Sequence, residues 1–193
     1  MIPRFVSMLA LAIVALLAAG ACAAAAPTFD PTGACTADGS APGAYPELEA
    51  LIPAAYEGRA PDTLDSGRNC TPENLGTLGA AGIDEVRFAG GTWDFGGDRA
   101  AALVVFQAPG LTSERLAEFY AASAQASNRT QITAVATPTL GGRPGHRLDT
   151  KTGDRLQTVV VWPADQPDTL NVVITNDLPD PKIEAAVEAF GDG

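Results

Sequence analysis

The chain of 193 residues contains a single histidine, His146, which removes several reaction classes at once. There is no His-Glu-x-x-His helix and no multi-histidine zinc site. His146 lies in Gly141-Gly142-Arg143-Pro144-Gly145-His146-Arg147, where a strand begins between two arginines, and reads as a surface or half-buried structural residue. Beyond the leader, the serines Ser40, Ser66, Ser113, Ser123 and Ser127 all lie outside a Gly-x-Ser-x-Gly elbow. Ser66, in Leu64-Asp65-Ser66-Gly67, reads as a turn. No Gly-x-x-x-x-Gly-Lys loop is present to cradle phosphate. Acids are plentiful, but Asp165-Gln166-Pro167-Asp168 and Asn176-Asp177-Leu178-Pro179-Asp180 lack the spaced ladder of a calcium loop and suit turns and helix caps. The expectation is therefore no catalytic residue, no metal and no cofactor. As ligand-binding candidates there remain Trp93, Asp94 and Trp162, whose indoles suit a sugar or an apolar ligand. For Trp93 the alternation with Phe95 favours core packing instead.

The three cysteines divide by position. Arg4 precedes an apolar run from Phe5 to Ala19, followed by small residues; these are the parts of a secretory signal over residues 1–21. The run is shorter than the roughly 20 residues of a membrane-spanning helix. Its end, Leu17-Ala18-Ala19-Gly20-Ala21-Cys22, resembles the lipobox of bacterial lipoproteins, with Ala19 where that family prefers Leu. The resemblance implies that Cys22 becomes the first mature residue, carries diacylglycerol and anchors the protein to a membrane. The alternative is plain secretion, by cleavage after Ala21 or after Ala26. Under either reading Cys35 and Cys70 remain as an even pair in an oxidising compartment. A bond between them stabilises the fold by about 4 kcal/mol in the chain-entropy account; the alternative is two free buried thiols.

Loss of Arg4 with the leader, and of no acid, takes the net charge from −11 to −12. Such a surface has no excess of cations with which to neutralise phosphates, so a nucleic-acid partner is not expected. The Asn-x-Thr triplets at Asn69 and Asn128 match the glycosylation pattern, which carries no weight beside a bacterial lipobox. The apolar share of 46% overstates the core, because alanine supplies much of it.

Residues 22–43 are rich in Ala, Pro, Thr and Gly and read as a flexible tether, leaving residues 44–193 as one domain. Within it, a short helix follows Pro46 and another starts at Thr71-Pro72-Glu73, with Leu75 and Leu78 as its apolar face. Val86 and Phe88, then Trp93 and Phe95, alternate about Gly90-Gly91 and predict a hairpin. Ala100–Phe106 suits a central strand, and Thr112 caps a helix bearing Leu116, Phe119 and Tyr120. Four strand candidates and a last helix from Asp180-Pro181 follow. The order predicts an α+β fold, an antiparallel sheet with the amphipathic helices packed on one face. Over residues 100–190 this helix, meander and closing helix resemble the Mog1/PsbP-type sandwich of some small exported lipoproteins. The function expected is that of an exported, lipid-anchored envelope protein acting as a non-catalytic binding or interaction module. The alternatives are a small apolar-ligand or lipid carrier, and an extracellular hydrolase using carboxylates around Trp93 and Asp94.

Overall fold

A computed structural model describes residues 29–140 and 143–191; the leader and Cys22 lie outside the described residues. In chain order the elements are β1 (Gly39–Ala41), α1 (Pro46–Glu49), β2 (Thr63–Asn69), α2 (Pro72–Leu75), α3 (Thr77–Ala80), β3 (Val86–Asp94), β4 (Ala100–Gln107), α4 (Ser113–Ala126), β5 (Thr130–Ala136), β6 (Thr139–Leu140), β7 (Arg143–Pro144), β8 (His146–Thr152), β9 (Arg155–Pro163), β10 (Thr169–Asn176) and α5 (Asp180–Ala189). Eight strands form one antiparallel sheet in the order β1-β2-β3-β4-β10-β9-β8-β5. β6 and β7 make a small separate pair.

The sheet is covered on both faces, not on one. Strand residues alternate between faces, so the continuous apolar runs of β4, β9 and β10 present hydrocarbon to both sides and both must be shielded from water. Val160, Trp162, Leu103, Val105 and Val173 point to one face, where Leu48 of α1, Tyr56, and Ile183 and Ala186 of α5 close over them. Val159, Val161, Val104 and Val172 point to the other, covered by Leu75 of α2, Leu78 of α3 and Leu116 of α4. An antiparallel sheet with helices is thus observed, sheet-dominated and with its helices divided between the two faces.

The hairpin expected about Gly90-Gly91 is instead the interior of β3, which runs unbroken through both glycines. They mark close approach, not a turn. A Cβ on Gly91 would meet Ile52 and the Trp93 ring at 3.0 Å, and one on Gly90 would meet Val104 at 3.3 Å. The reversal into β4 comes later, at Gly96, Gly97 and Asp98, all with positive φ. After Arg59 the chain becomes strand only from Thr63.

The largest departure concerns the tether. Its described part, residues 29–43, is fastened to the domain rather than free. Composition hides this, because the fastening groups belong mostly to the other partner, around β2. The buried Arg68 guanidinium donates to the backbone carbonyls of Asp30 (3.1 Å), Gly33 (2.8 Å) and Ala34 (3.3 Å) and lies 5.7 Å from the Phe29 ring. Its Nε is the one buried side-chain nitrogen or oxygen without a hydrogen bond among the described residues. Cys35 and Cys70 are paired as a disulfide, with Cα atoms 6.0 Å apart. Asp38 accepts from the N–H groups of Cys70 (2.6 Å) and Thr71 (2.9 Å), from the Thr71 hydroxyl and from the Asn74 amide (2.6 Å). β1 then adds to the sheet edge beside β2.

Burial works against the Asp38 charge, but these donors outweigh it and hold its carboxyl at about 2, below the ordinary 3.8. A carboxyl depressed in the folded state stabilises above its unfolded value, and that contribution disappears as pH falls through the folded value. The wild type should therefore lose stability as pH falls from about 4 toward 2, and Asp38→Asn should be less stable at neutral pH while losing the Asp38 component of that slope, as read by chemical denaturation across the window.

Candidate functional site

An opening with one apolar and one more polar lobe lies where α4 crosses the far half of the sheet. Thr112 starts the helix, its hydroxyl accepting from the Arg115 N–H at 3.3 Å, and Leu111 and Leu116 are buried in the same cluster. Beyond Leu116 the helix presents Ala117, Tyr120, Ala121 and Ala124 to a cleft above β8 and β9. The small side chains let α4 lie close over Leu148, Val159 and Val161, which it buries, and the cleft opens along its flank.

Tyr120 divides the cleft into two lobes, and Tyr120, Leu148 and Val159 line both. The first lobe, about 260 Å³, is walled by Ala117, Ala121, Val135 and Val161, with His146, Glu114 and Glu118 at its margins. The second, about 350 Å³, is lined by Ser123, Thr130, Thr150, Thr152, Gln157 and Asn176, with Leu156 and Arg155. Only three large hydrophobic residues are exposed among the described residues; Val135, at 69%, and Leu156, at 52%, are two of them, and each borders one lobe. The Arg155 guanidinium is already engaged, by the Asp98 carbonyl at 2.7 Å and Asp177 at 2.7 Å. Arg147 is held by Asp149 at 3.0 Å and Asp180 at 2.7 Å.

Tyr120 packs edge-on against Phe119, at 5.5 Å between ring centres, and its hydroxyl makes no hydrogen bond among the described residues. Burial alone pushes its phenol well above the ordinary value of 10.0. The group stays neutral and retains both donor and acceptor capacity toward anything entering the cleft. Tyr56 contrasts with it. Burial, with a smaller contribution from Glu57, pushes its phenol up to about 12, and its hydroxyl donates to the Lys182 carbonyl at 2.8 Å.

The sequence candidates lie elsewhere. Trp93 has no exposed surface; its indole N–H donates to the Arg59 carbonyl at 2.9 Å and its ring stands perpendicular to Tyr56 at 5.7 Å. Trp162 is buried in the same cluster, edge-on to Phe190 at 5.4 Å. Asp94 is exposed and ties a turn, accepting from the Gly96 N–H at 2.7 Å. Trp93 and Trp162 share a core, and Asp94 does not join them at a cavity. Of the chemically capable residues weighed in the sequence, His146 and Ser123 reach the cleft; the His146 side chain makes no hydrogen bond among the described residues, and the Ser123 hydroxyl donates to the Phe119 carbonyl at 2.8 Å. No group of three or more His, Cys, Asp or Glu side chains converges to hold a metal among the described residues. A larger hollow of about 410 Å³ lies beside Glu85, Arg87, Gln107 and Asp168. It is the weaker candidate because Arg87 bonds Glu85 at 2.9 Å, Gln107 bonds Thr169 at 3.1 Å and Asp168 accepts from the Gly110 N–H at 3.1 Å.

No protein-family model matches the chain, and comparison with curated proteins finds no match either. The geometry of the cleft therefore carries the functional reading.

The two tyrosines should separate in denaturation experiments. Tyr56→Phe deletes a buried hydrogen bond and should cost about 1 kcal/mol. Tyr120→Phe deletes a hydroxyl without a protein partner and should change stability by less than about 0.5 kcal/mol.

Proposed function

We propose that the protein is an exported, lipid-anchored envelope protein acting as a non-catalytic binding module, with the α4 cleft as its binding site. One observation carries this reading: an opening with an apolar lobe lies between α4 and the sheet, with exposed Val135 and Leu156 at its borders and the neutral Tyr120 between its lobes. Exposed apolar surface contiguous with a concavity marks a place of contact with another molecule. The walls of the first lobe are Ala117, Ala121, Val135, Leu148, Val159 and Val161, with His146, Glu114 and Glu118 at its margins, an apolar set suited to holding a ligand.

The Cys35–Cys70 bond, together with the lack of any helix long and apolar enough to cross a membrane among the described residues, is compatible with an extracytoplasmic setting. The lipobox-like Ala19-Gly20-Ala21-Cys22 supports attachment through Cys22, and the order of helix, meander and closing helix over residues 100–190 supports a likeness to Mog1/PsbP-type lipoproteins. A small apolar-ligand or lipid carrier is the second reading, favoured by the hydrocarbon lining of the first lobe.

Nile red, a neutral dye whose emission reports an apolar environment, should bind the purified protein. Ala121→Trp, which fills the first lobe, should weaken that binding at least about tenfold with the fold intact by circular dichroism; Ala117→Phe provides the same test should the first variant not fold. Equal dye binding by the wild type and a folded filled variant overturns the site. For the anchor, metabolic labelling with a lipid analogue should mark the wild type and leave Cys22→Ala unmarked; labelling of neither overturns it.

A further inference from the structure

We propose that the outer edge of β5, together with the first lobe beside it, docks an extended basic segment of a partner protein, which adds to the sheet as a further strand. This rests on the reading of the cleft as a binding site and names its occupant. β5 ends the sheet and pairs only with β8, so one side of its backbone has no strand neighbour among the described residues. Exposed edges are ordinarily blunted by charge, proline or shortness. β5 has none of these: Thr130–Ala136 is seven residues long and contains neither a charged residue nor proline. The opposite edge, β1, is three residues long and follows the fastened arm.

One protective device is present. The ladder between β5 and β8 shifts between Ile132 and Ala134, and the intervening Thr133 turns its hydroxyl to the Asp149 carbonyl at 3.1 Å. A bulge of this kind bends the strand and shortens its flat part. The regular stretch next to the lobe is Ala134–Ala136, and it contains Val135. A strand added there would bring alternate side chains over Val135 and into the lobe, while its backbone satisfies the open edge.

Charge selects the partner. Glu114 and Glu118 border the lobe and form no ion pair among the described residues, whereas the nearby Arg147 is held by Asp149 and Asp180. The uncompensated charge on the lining of the lobe, next to Ala134–Ala136, is therefore negative, on a chain with net charge −11. A basic segment is attracted to it, and a second copy of this acidic chain is repelled.

The test uses a fluorescent peptide of about six residues alternating lysine and valine, its glutamate–valine counterpart, and the lysine peptide with alternate backbone nitrogens methylated. The lysine peptide should bind, read by anisotropy, and should slow hydrogen exchange at the β5 amides; the other two should do neither. Glu114→Lys with Glu118→Lys should weaken binding about tenfold at low salt and flatten its salt dependence. Equal binding of the methylated peptide means docking through side chains alone and overturns strand addition. Equal binding of the acidic peptide overturns the charge argument, and β5 protection that appears without peptide as the protein is concentrated assigns the edge to a second copy. If Nile red binds and the lysine peptide does not, this proposal fails and the cleft reading stands; if neither binds, both fail.

Discussion

The fold depends on the pairing of β4 with β10, eight residues against eight at the centre of the sheet. β4 closes the N-terminal meander β1-β2-β3-β4, and β10 closes the C-terminal one, β5-β8-β9-β10, so their ladder makes one sheet of two parts. Because β10 occupies the position beside β4, the chain leaving β4 must travel to the far edge before it can build back toward the centre. α4 makes that passage over one face. The site follows from this topology: a crossing helix with alanine on its inner side leaves a cleft, and the strand it delivers becomes the exposed edge.

The same centre explains why both faces need helices. Val159-Val160-Val161 of β9 sends successive side chains to opposite faces, as do Leu103-Val104 of β4 and Val172-Val173 of β10. The two layers are pinned differently. Over Trp93, the layer near α5 is fixed by polar contacts, with Tyr56 bonded to the Lys182 backbone, Lys182 paired to Glu57 at 2.8 Å and its ammonium 5.0 Å from the centre of the Phe95 ring. Over Val159, α4 rests chiefly on hydrocarbon, which tolerates small gaps more readily than a network of directional bonds does.

Much of this was legible from periodicity. The four strands that follow the Thr112-capped helix in the main sheet, β5, β8, β9 and β10, and the closing helix at Asp180-Pro181 form in the order that hydrophobic spacing and breakers predict. Three readings went astray for physical reasons. Gly90-Gly91 has the composition of a turn, but the glycines are there because Val104, Ile52 and Trp93 crowd them across space. The arm before Gly43 has almost no large apolar residue and is held by Arg68, Asp38 and a disulfide, whose partners are distant in sequence. The continuous apolar runs carried the two-sided signal, yet the helices alone were assigned to a single face. As for the cleft, Ala117, Ala121 and Ala124 stand in the sequence, but an opening is made by two elements at once, and the strand residues that complete it lie far along the chain.

The central ladder also sets an order of events. β10 is the last strand made, so during synthesis the N-terminal meander exists for a time with β4, Ala100–Gln107, as an open apolar edge awaiting its neighbour. Pairing across such a sequence separation is slow, because the intervening chain must be confined before the contacts form. An unfilled edge in a half-made sheet is also where chains stick to one another. The disulfide joins Cys35 to Cys70 wholly within the first half. It can form before β10 appears, tightening the early meander while doing nothing to protect β4. Protection of that edge during maturation falls to whatever keeps the chain unfolded until its last strand is available.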